Sequence, residues 1–243
     1  MVNKKNVRQT KKSSRLFYLS VVIFLIFGFV IFSIFVKTFS KTGRTINIPI
    51  AFPIVAVIIF YEGIMRGRDL SELGIKKDNF CRNVGIGILL AFLGFYVMFT
   101  IINIFTPGLM EEIVSRKETL SNFFRLNFQY PLNYILQTIY AFALLAPAEE
   151  LLFRGFIQGK LQKLMNNYLA IIIQSSLFGL VHGIPAYMRG FHITYSICYG
   201  LVVFFGGILL GIAFNKTGNS IIAPWVAHAI SDSPLTLLIF GII

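Results

Sequence analysis

The feature that most limits how this chain can fold is a recurrence of apolar stretches about 20 residues long, parted by short segments that hold most of the charge. As a helix, one such stretch covers the ~30 Å hydrocarbon core of a bilayer at 1.5 Å per residue. A helix also satisfies every backbone N–H and C=O within the segment itself, which lipid cannot do. With 56% hydrophobic and 13% charged residues, the expected fold is all-α, a polytopic integral membrane bundle. The net charge of +12 does not point to nucleic acid. The basic residues lie between apolar runs, where they anchor loops against anionic lipid. The expected partner is the lipid bilayer.

Residues 1–15 form a basic tail with Lys4, Lys5, Arg8, Lys11, Lys12 and Arg15. It resembles a signal-peptide n-region, but the apolar run at 16–36 is too long for an h-region and no small-residue cleavage site follows. It reads as an uncleaved first span. A second span covers 46–65, interrupted by Pro49 and Pro53, with Glu62 near its end spaced to pair with Arg66. After a polar loop at 66–83 comes a third span, 84–105, followed by a polar amphipathic segment at 106–133. The fourth span starts near Tyr134 and runs to about Gln158. The fifth covers 168–184, the sixth 193–214, and the seventh starts near Asn219. The apolar residues after Pro234 either continue the seventh span past a proline kink or form a truncated eighth. The expectation is therefore seven or eight transmembrane helices in a single membrane domain, 16–243, whose chemistry lies in 134–243. Lys and Arg favour the tail, 66–82, 154–163 and Lys216, which puts the N-terminus in the cytoplasm of a multi-pass cell-membrane protein. Cys81 and Cys198 have neither metal spacing nor disulfide logic.

Inside the fourth span stands Ala146-Pro-Ala-Glu149-Glu150-Leu-Leu-Phe-Arg154-Gly155. An ionised side chain near the bilayer centre costs about 2.5–3.5 kcal/mol even on lenient insertion scales, so these residues point to function. Glu150 and Arg154 are i and i+4 and can pair on one helical face. Glu149 is rotated by about 100° and has no cation one turn away, which leaves it free to act as a general base. The same string recurs as Glu111-Glu112-Ile-Val-Ser-Arg116. Lys117 and Glu118 follow that copy in a polar segment, and it reads as a solvated surface helix.

Two histidines lie in later apolar runs. His182 follows Phe178 by one turn, and His228 precedes Asp232 by one turn; His192 sits beside Arg189 in a loop. Counted from the cytoplasmic helix ends, Glu149 is ~13 Å deep, His228 ~14 Å and His182 ~21 Å. All three depths fall within the hydrocarbon core, and they imply a cavity open to the cytoplasmic leaflet.

Glu149-Glu150-x-x-x-Arg154, Phe178-x-x-x-His182 and His228-x-x-x-Asp232 together resemble the three motifs of the CPBP family, the CAAX-prenyl-protease-type and bacteriocin-processing (Abi-type) intramembrane proteases. The resemblance spans about 146–232 and implies hydrolysis of a peptide bond within the bilayer. It assigns Glu149 as the base that activates water, with His182 beside it, and His228 and residue 232 as oxyanion stabilisers. Glu150 and Arg154 would be mainly structural. CAAX proteases carry Asn where this chain has Asp232. An ionised Asp cannot donate to an oxyanion. Asp232 would then be protonated, or would accept from His228 and favour the imidazolium, or would orient His228 as a metal ligand. The family has been described both as metal-free and as metalloproteases. Glu149, His182 and His228 could supply three ligands to zinc or another divalent metal, but no H-E-x-x-H helix is present and a ligating Glu149 would leave no base. Catalysis without a cofactor is the favoured reading. The implied substrate is a membrane-associated peptide or protein, including bacteriocin or signalling-peptide precursors. A non-catalytic scaffold or bacteriocin-immunity protein is the alternative, and a proton-relay transporter lacks the expected two related halves.

Overall fold

Cap and turn chemistry sets where each helix starts and stops. The computed structural model of the protein describes residues 51–105, 135, 138–188 and 192–233, and the regular elements among them are helical. The span at 16–36, the start of the second, the segment 106–133 with its Glu111-Glu112 copy, and the residues after Ser233 lie outside the described residues.

The chain divides into two compact units, one ending at Ile75 and the other starting at Lys76. In the first, α1 (Ala51–Ile59) widens into a π turn over Phe60–Met65 that buries Glu62. Glu62 lies 3.8 Å from Arg66, the partner its spacing indicates, but only 3.0 Å from Arg68. The wide turn explains the preference. Arg66 N–H donates to Tyr61 O and Arg68 N–H to Glu62 O, which folds Arg68 back toward the acid. Asp69 then caps the short 3₁₀ turn Leu70–Leu73 by accepting from Ser71 N–H. Gly74 closes that turn at φ 84°, a conformation that glycine adopts without steric cost.

The second unit holds α2 (Phe80–Phe105), α3 (138–161), α4 (Asn167–Met188), α5 (Ile193–Lys216) and α6 (Ile222–Asp232). α2 starts four residues before the apolar run. The polar Asn83 is accommodated because its Nδ2 donates to Asp78 O at the helix start. Three segments are long and apolar enough to cross a membrane: Phe80–Val97, Asn167–Met188 and Ile193–Lys216. Large apolar side chains such as Leu89, Tyr96, Leu180, Ile184, Ile197 and Leu201 are exposed on them. So much outward apolar surface suits lipid rather than water. The protein is multi-pass and all-α.

Successive helices of this unit run in alternate directions. Thr138 at the start of α3 shares a 2.9 Å hydrogen bond with Ser233 just past α6. Gly183 of α4 faces Ser196 of α5, and Gly87 of α2 faces Ala223 of α6. Lys76 Nζ donates to Gly218 O in the turn between α5 and α6. The starts of α2, α4 and α6 thus share one end with the finishes of α3 and α5.

Close approach in lipid depends on small side chains, because apolar burial itself gains little there. α4 presents Ser175, Gly179 and Gly183 to Gly207, Gly200 and Ser196 of α5. A Cβ at Gly179 would lie 2.6 Å from Gly200 O, and one at Gly183 2.9 Å from Ser196 O. α6 seats on α2 in the same manner: a Cβ at Gly87 would lie 2.7 Å from Ala223 O. Ala91, Ala227 and Leu210 form a core among α2, α6 and α5.

Gly218 and Asn219, at φ 72° and 58°, reverse the chain into α6. That helix stops after 11 residues because Ser233, next to Pro234 in the sequence, is extended at ψ 127°. Its ~16 Å length is about half of what a crossing requires.

Gly179→Ala is expected to destabilise the protein by about 1–3 kcal/mol through overpacking. Gly206→Ala, whose Cβ would meet nothing within 4 Å, should be neutral. Thermal unfolding of the two variants in the same detergent checks the difference.

Candidate active site

The two glutamates lie on α3, which alternates between two helical registers. A π stretch at Ala141–Leu145 gives way to α-helix at Ala146–Glu150 and then to a second π stretch at Leu151–Gln158. Such widened turns recur at functional sites. Pro147 contributes to the first. It has no N–H, so in the i→i+5 register the carbonyl of Phe142 loses its intrahelical donor. Trp225 of α6 fills that vacancy, its indole N–H donating to Phe142 O at 2.7 Å. α6 is thereby pinned to α3 beside the acids.

Glu150 is fully buried, and its Oε1 takes two partners. Arg154 Nη1 donates to it at 2.8 Å, and His228 Nδ1 lies 2.7 Å away. The i,i+4 spacing accounts for the first contact. The second crosses from α3 to α6 and has no signal in the sequence. Arg154, also fully buried, lays its guanidinium over the Phe178 ring at 4.5 Å. Phe178 further packs edge-on against Phe153, His182 and His228, with centroids 4.8, 4.6 and 5.6 Å apart. It holds both imidazoles from one side.

Glu149 points the other way. Its Oε2 lies 3.8 Å from His182 Nε2 and 3.8 Å from His228 Nε2. That oxygen is buried and takes no hydrogen bond among the described residues. His182 Nδ1 lies 2.8 Å from Phe178 O. A carbonyl only accepts, so this nitrogen carries the proton, and in the neutral ring the Nε2 lone pair faces Glu149. His228 has a carboxylate oxygen at each ring nitrogen: Glu150 at Nδ1 and Asp232 Oδ2 at Nε2, 3.3 Å away. α3, α4 and α6 thus bring Glu149, His182, His228 and Asp232 to one point. His192 lies apart, capping α5 through Thr194 N–H.

For the three-ligand metal reading the spacing is slightly wide. Ligands about 2.0–2.2 Å from one tetrahedral zinc stand only about 3.4 Å apart, closer than the two 3.8 Å separations here. Among the described residues, no group of three or more His, Cys, Asp or Glu side chains could hold a metal ion.

Tyr199 is a neighbour that motif spacing does not reveal. Its ring stands 6.0 Å from that of His182, and Tyr195 stacks on it at 6.2 Å. Both tyrosines lie one turn apart on α5, and only the packing of α5 on α4 brings them to the histidine.

Residues 131–233 match the family model described as Type II CAAX prenyl endopeptidase Rce1-like. The match reaches from the start of α3 to the end of α6, so a CAAX-protease family domain is present and contains all the residues above. No curated protein and no solved structure matches the chain.

Arg154→Met is expected to cost about 3–5 kcal/mol, since it leaves the buried Glu150 charge without its cation. Adding Glu150→Leu should restore much of that stability while leaving His228 without its Nδ1 partner. Detergent-resistant folded protein, measured for both single variants and the pair, checks this.

Proposed function

We propose that this Rce1-like CAAX-protease domain is an intramembrane endopeptidase. It hydrolyses a peptide bond of a membrane-associated peptide or protein with water activated by Glu149 and His182. The observation that carries the reading is the unbonded Glu149 Oε2 standing 3.8 Å from two Nε2 atoms. A water can bridge Glu149 Oε2 and either Nε2 across 3.8 Å at ordinary hydrogen-bond lengths.

In the reaction, Glu149 takes a proton from that water while His182 Nε2 accepts its second hydrogen bond. The water oxygen attacks the peptide carbonyl and forms the tetrahedral intermediate. His228 meets the oxyanion. With carboxylates at both ring nitrogens it can hold two protons, and its Nε2–H then turns from Asp232 toward the developing charge. Glu149 returns its proton to the amine nitrogen as the C–N bond breaks. Asp232 orients the imidazole from the position that an amide donor has in the resembling enzymes. Glu150 fixes the ring through Nδ1, and Arg154 neutralises Glu150.

No step in this scheme needs a metal or other cofactor. We further assign seven or eight spans with the N-terminus in the cytoplasm, following the basic-residue bias. Membrane-anchored peptide precursors are the substrate class closest to the family resemblance.

Glu149→Gln should lower cleavage of candidate precursor peptides by about 10²–10⁴-fold, the usual weight of a general base, with the unfolding temperature unchanged. Wild-type cleavage should persist in a strong chelator. Cleavage by Glu149→Gln at the wild-type rate would remove the base from the scheme, and chelator-sensitive cleavage would remove the metal-free chemistry.

Asp232→Asn should keep kcat within about tenfold of wild type, because the amide can itself donate to the oxyanion. Asp232→Ala, with neither an amide donor nor a carboxylate beside Nε2, should lose about 10²–10³-fold, the weight of one oxyanion donor. Steady-state kinetics on one peptide compares the two.

A further inference from the structure

We infer that internal water binds beside the catalytic groups, bridging the Arg154 guanidinium to the side-chain carbonyls of Gln158 and Gln174. Through that water the two glutamines act as positioning residues, holding Arg154 on Glu150 and so His228 in place. The water site stands on the packing alone, whereas the positioning role rests on the endopeptidase reading.

The first ground is a buried polar layer whose amides have one possible orientation. Toward the shared end at Leu161, Asn167 and Lys216, Glu150 is followed on α3 by Arg154 and Gln158. On α4, His182 is preceded by Phe178 and Gln174. Arg154, Gln158 and Gln174 are all fully buried. Gln158 Nε2 donates to Gly211 O and Asn215 Oδ1, both at 3.0 Å. Gln174 Nε2 donates to Gly207 O at 3.1 Å and to Ser175 Oγ at 2.7 Å. A backbone carbonyl only accepts, so each amide must point its nitrogen at α5. Both N–H groups of each glutamine are used there, and its oxygen is left to find a donor of its own.

The second ground is that the groups left over are complementary. Gln158 Oε1 and Gln174 Oε1 are buried acceptors without a hydrogen-bond donor among the described residues. Arg154 Nη1 reaches Glu150, but Nε and Nη2 are buried donors without an acceptor there. Burying such atoms unmet is costly, and native interiors seldom do it. Water both donates and accepts, and it joins groups of this kind with two to four hydrogen bonds. An anion would be repelled by the amide oxygens and Glu150, and a metal ion by the guanidinium. Water is the ligand that suits both sides.

The groups occupy adjoining turns. The guanidinium lies over the Phe178 ring at 4.5 Å, and Gln174 is one turn from Phe178. Both amides close on one glycine, since a Cβ at Gly211 would lie 3.0 Å from Gln158 Oε1 and 2.9 Å from Gln174 Nε2. α5 thus holds the glutamines, and the glutamines hold the water that holds Arg154. The Glu150 oxygen that Arg154 meets also stands 2.7 Å from His228 Nδ1. A guanidinium without that support is free to swing, and the imidazole then loses its fixed place beside Glu149.

The test has a structural and a kinetic arm. An experimental density map of the wild-type protein that resolves ordered water should show it within hydrogen-bond distance of Arg154 Nε or Nη2 and of a glutamine Oε1. A dry layer, or Arg154 bonded directly to either amide, would overturn the water site. In the kinetic arm, Gln174→Met removes the whole amide at similar volume, while Gln174→Glu keeps an acceptor and gives up a donor to α5. Gln174→Met should lower kcat on a cleaved peptide about tenfold with KM within about twofold, and Gln174→Glu should restore kcat to within about threefold of wild type. Equal losses of kcat in the two variants would make Gln174 a helix clamp only, and no loss in Gln174→Met would end the positioning role. Gln158→Met and Gln158→Glu give the same comparison should Gln174→Met fail to fold. A wild-type protein that cleaves no peptide would sink the endopeptidase reading, and the map would still decide the water site.

Discussion

A carboxylate without water around it must find its whole compensation in the protein, and Glu150 imposes that condition on the helices about it. Arg154 reaches its Oε1 at 2.8 Å from the same helix and His228 at 2.7 Å from another. Taking either partner away would leave a charge in a region where bare ions cost several kcal/mol. The helices that carry the three groups are therefore not free to slide or rotate independently. Glu150 itself is closed off from substrate, and its neighbour Glu149 is the acid that faces the histidines. Two adjacent residues of like charge do different work because the helix turns between them.

Lipid gives helices little reason to associate, so the bundle depends on contacts that only small side chains permit. The Ser175, Gly179 and Gly183 stripe lets α5 lie against α4 at backbone distance, and Gly87 does the same for α6 against α2. These approaches set the depth of His182 and His228 relative to α3. The indole of Trp225, bonded to a carbonyl that Pro147 leaves vacant, fixes the remaining separation. Site geometry and bundle packing are consequently one problem, and a substitution at a distant glycine reaches the chemistry through the tilt of a helix.

Much of the architecture was readable from the chain. Apolar runs located α2, α4 and α5 to within a few residues, because a crossing has a fixed length and few sequences can make one. The pairing of Glu150 with Arg154 follows from i,i+4 spacing alone. The π registers of α3 were not readable. They depend on which carbonyls find donors, and Pro147 is a hint only once the register is known. Glu62 shows the same blindness: its spacing named Arg66, but a widened turn handed the shorter contact to Arg68. The bond from Glu150 to His228 joins residues 78 apart, and no local pattern encodes which of two adjacent acids a distant imidazole meets. Tyr199 was invisible for a like reason, since a tyrosine in an apolar helix ordinarily reads as packing.

The chain contains a single tryptophan, and it is the residue that ties α6 to α3. Its emission therefore comes from one place, the seam between α3 and α6. An indole released from Phe142 O would lose its acceptor and shift its fluorescence. The protein thus carries a built-in optical gauge of whether that seam stays closed.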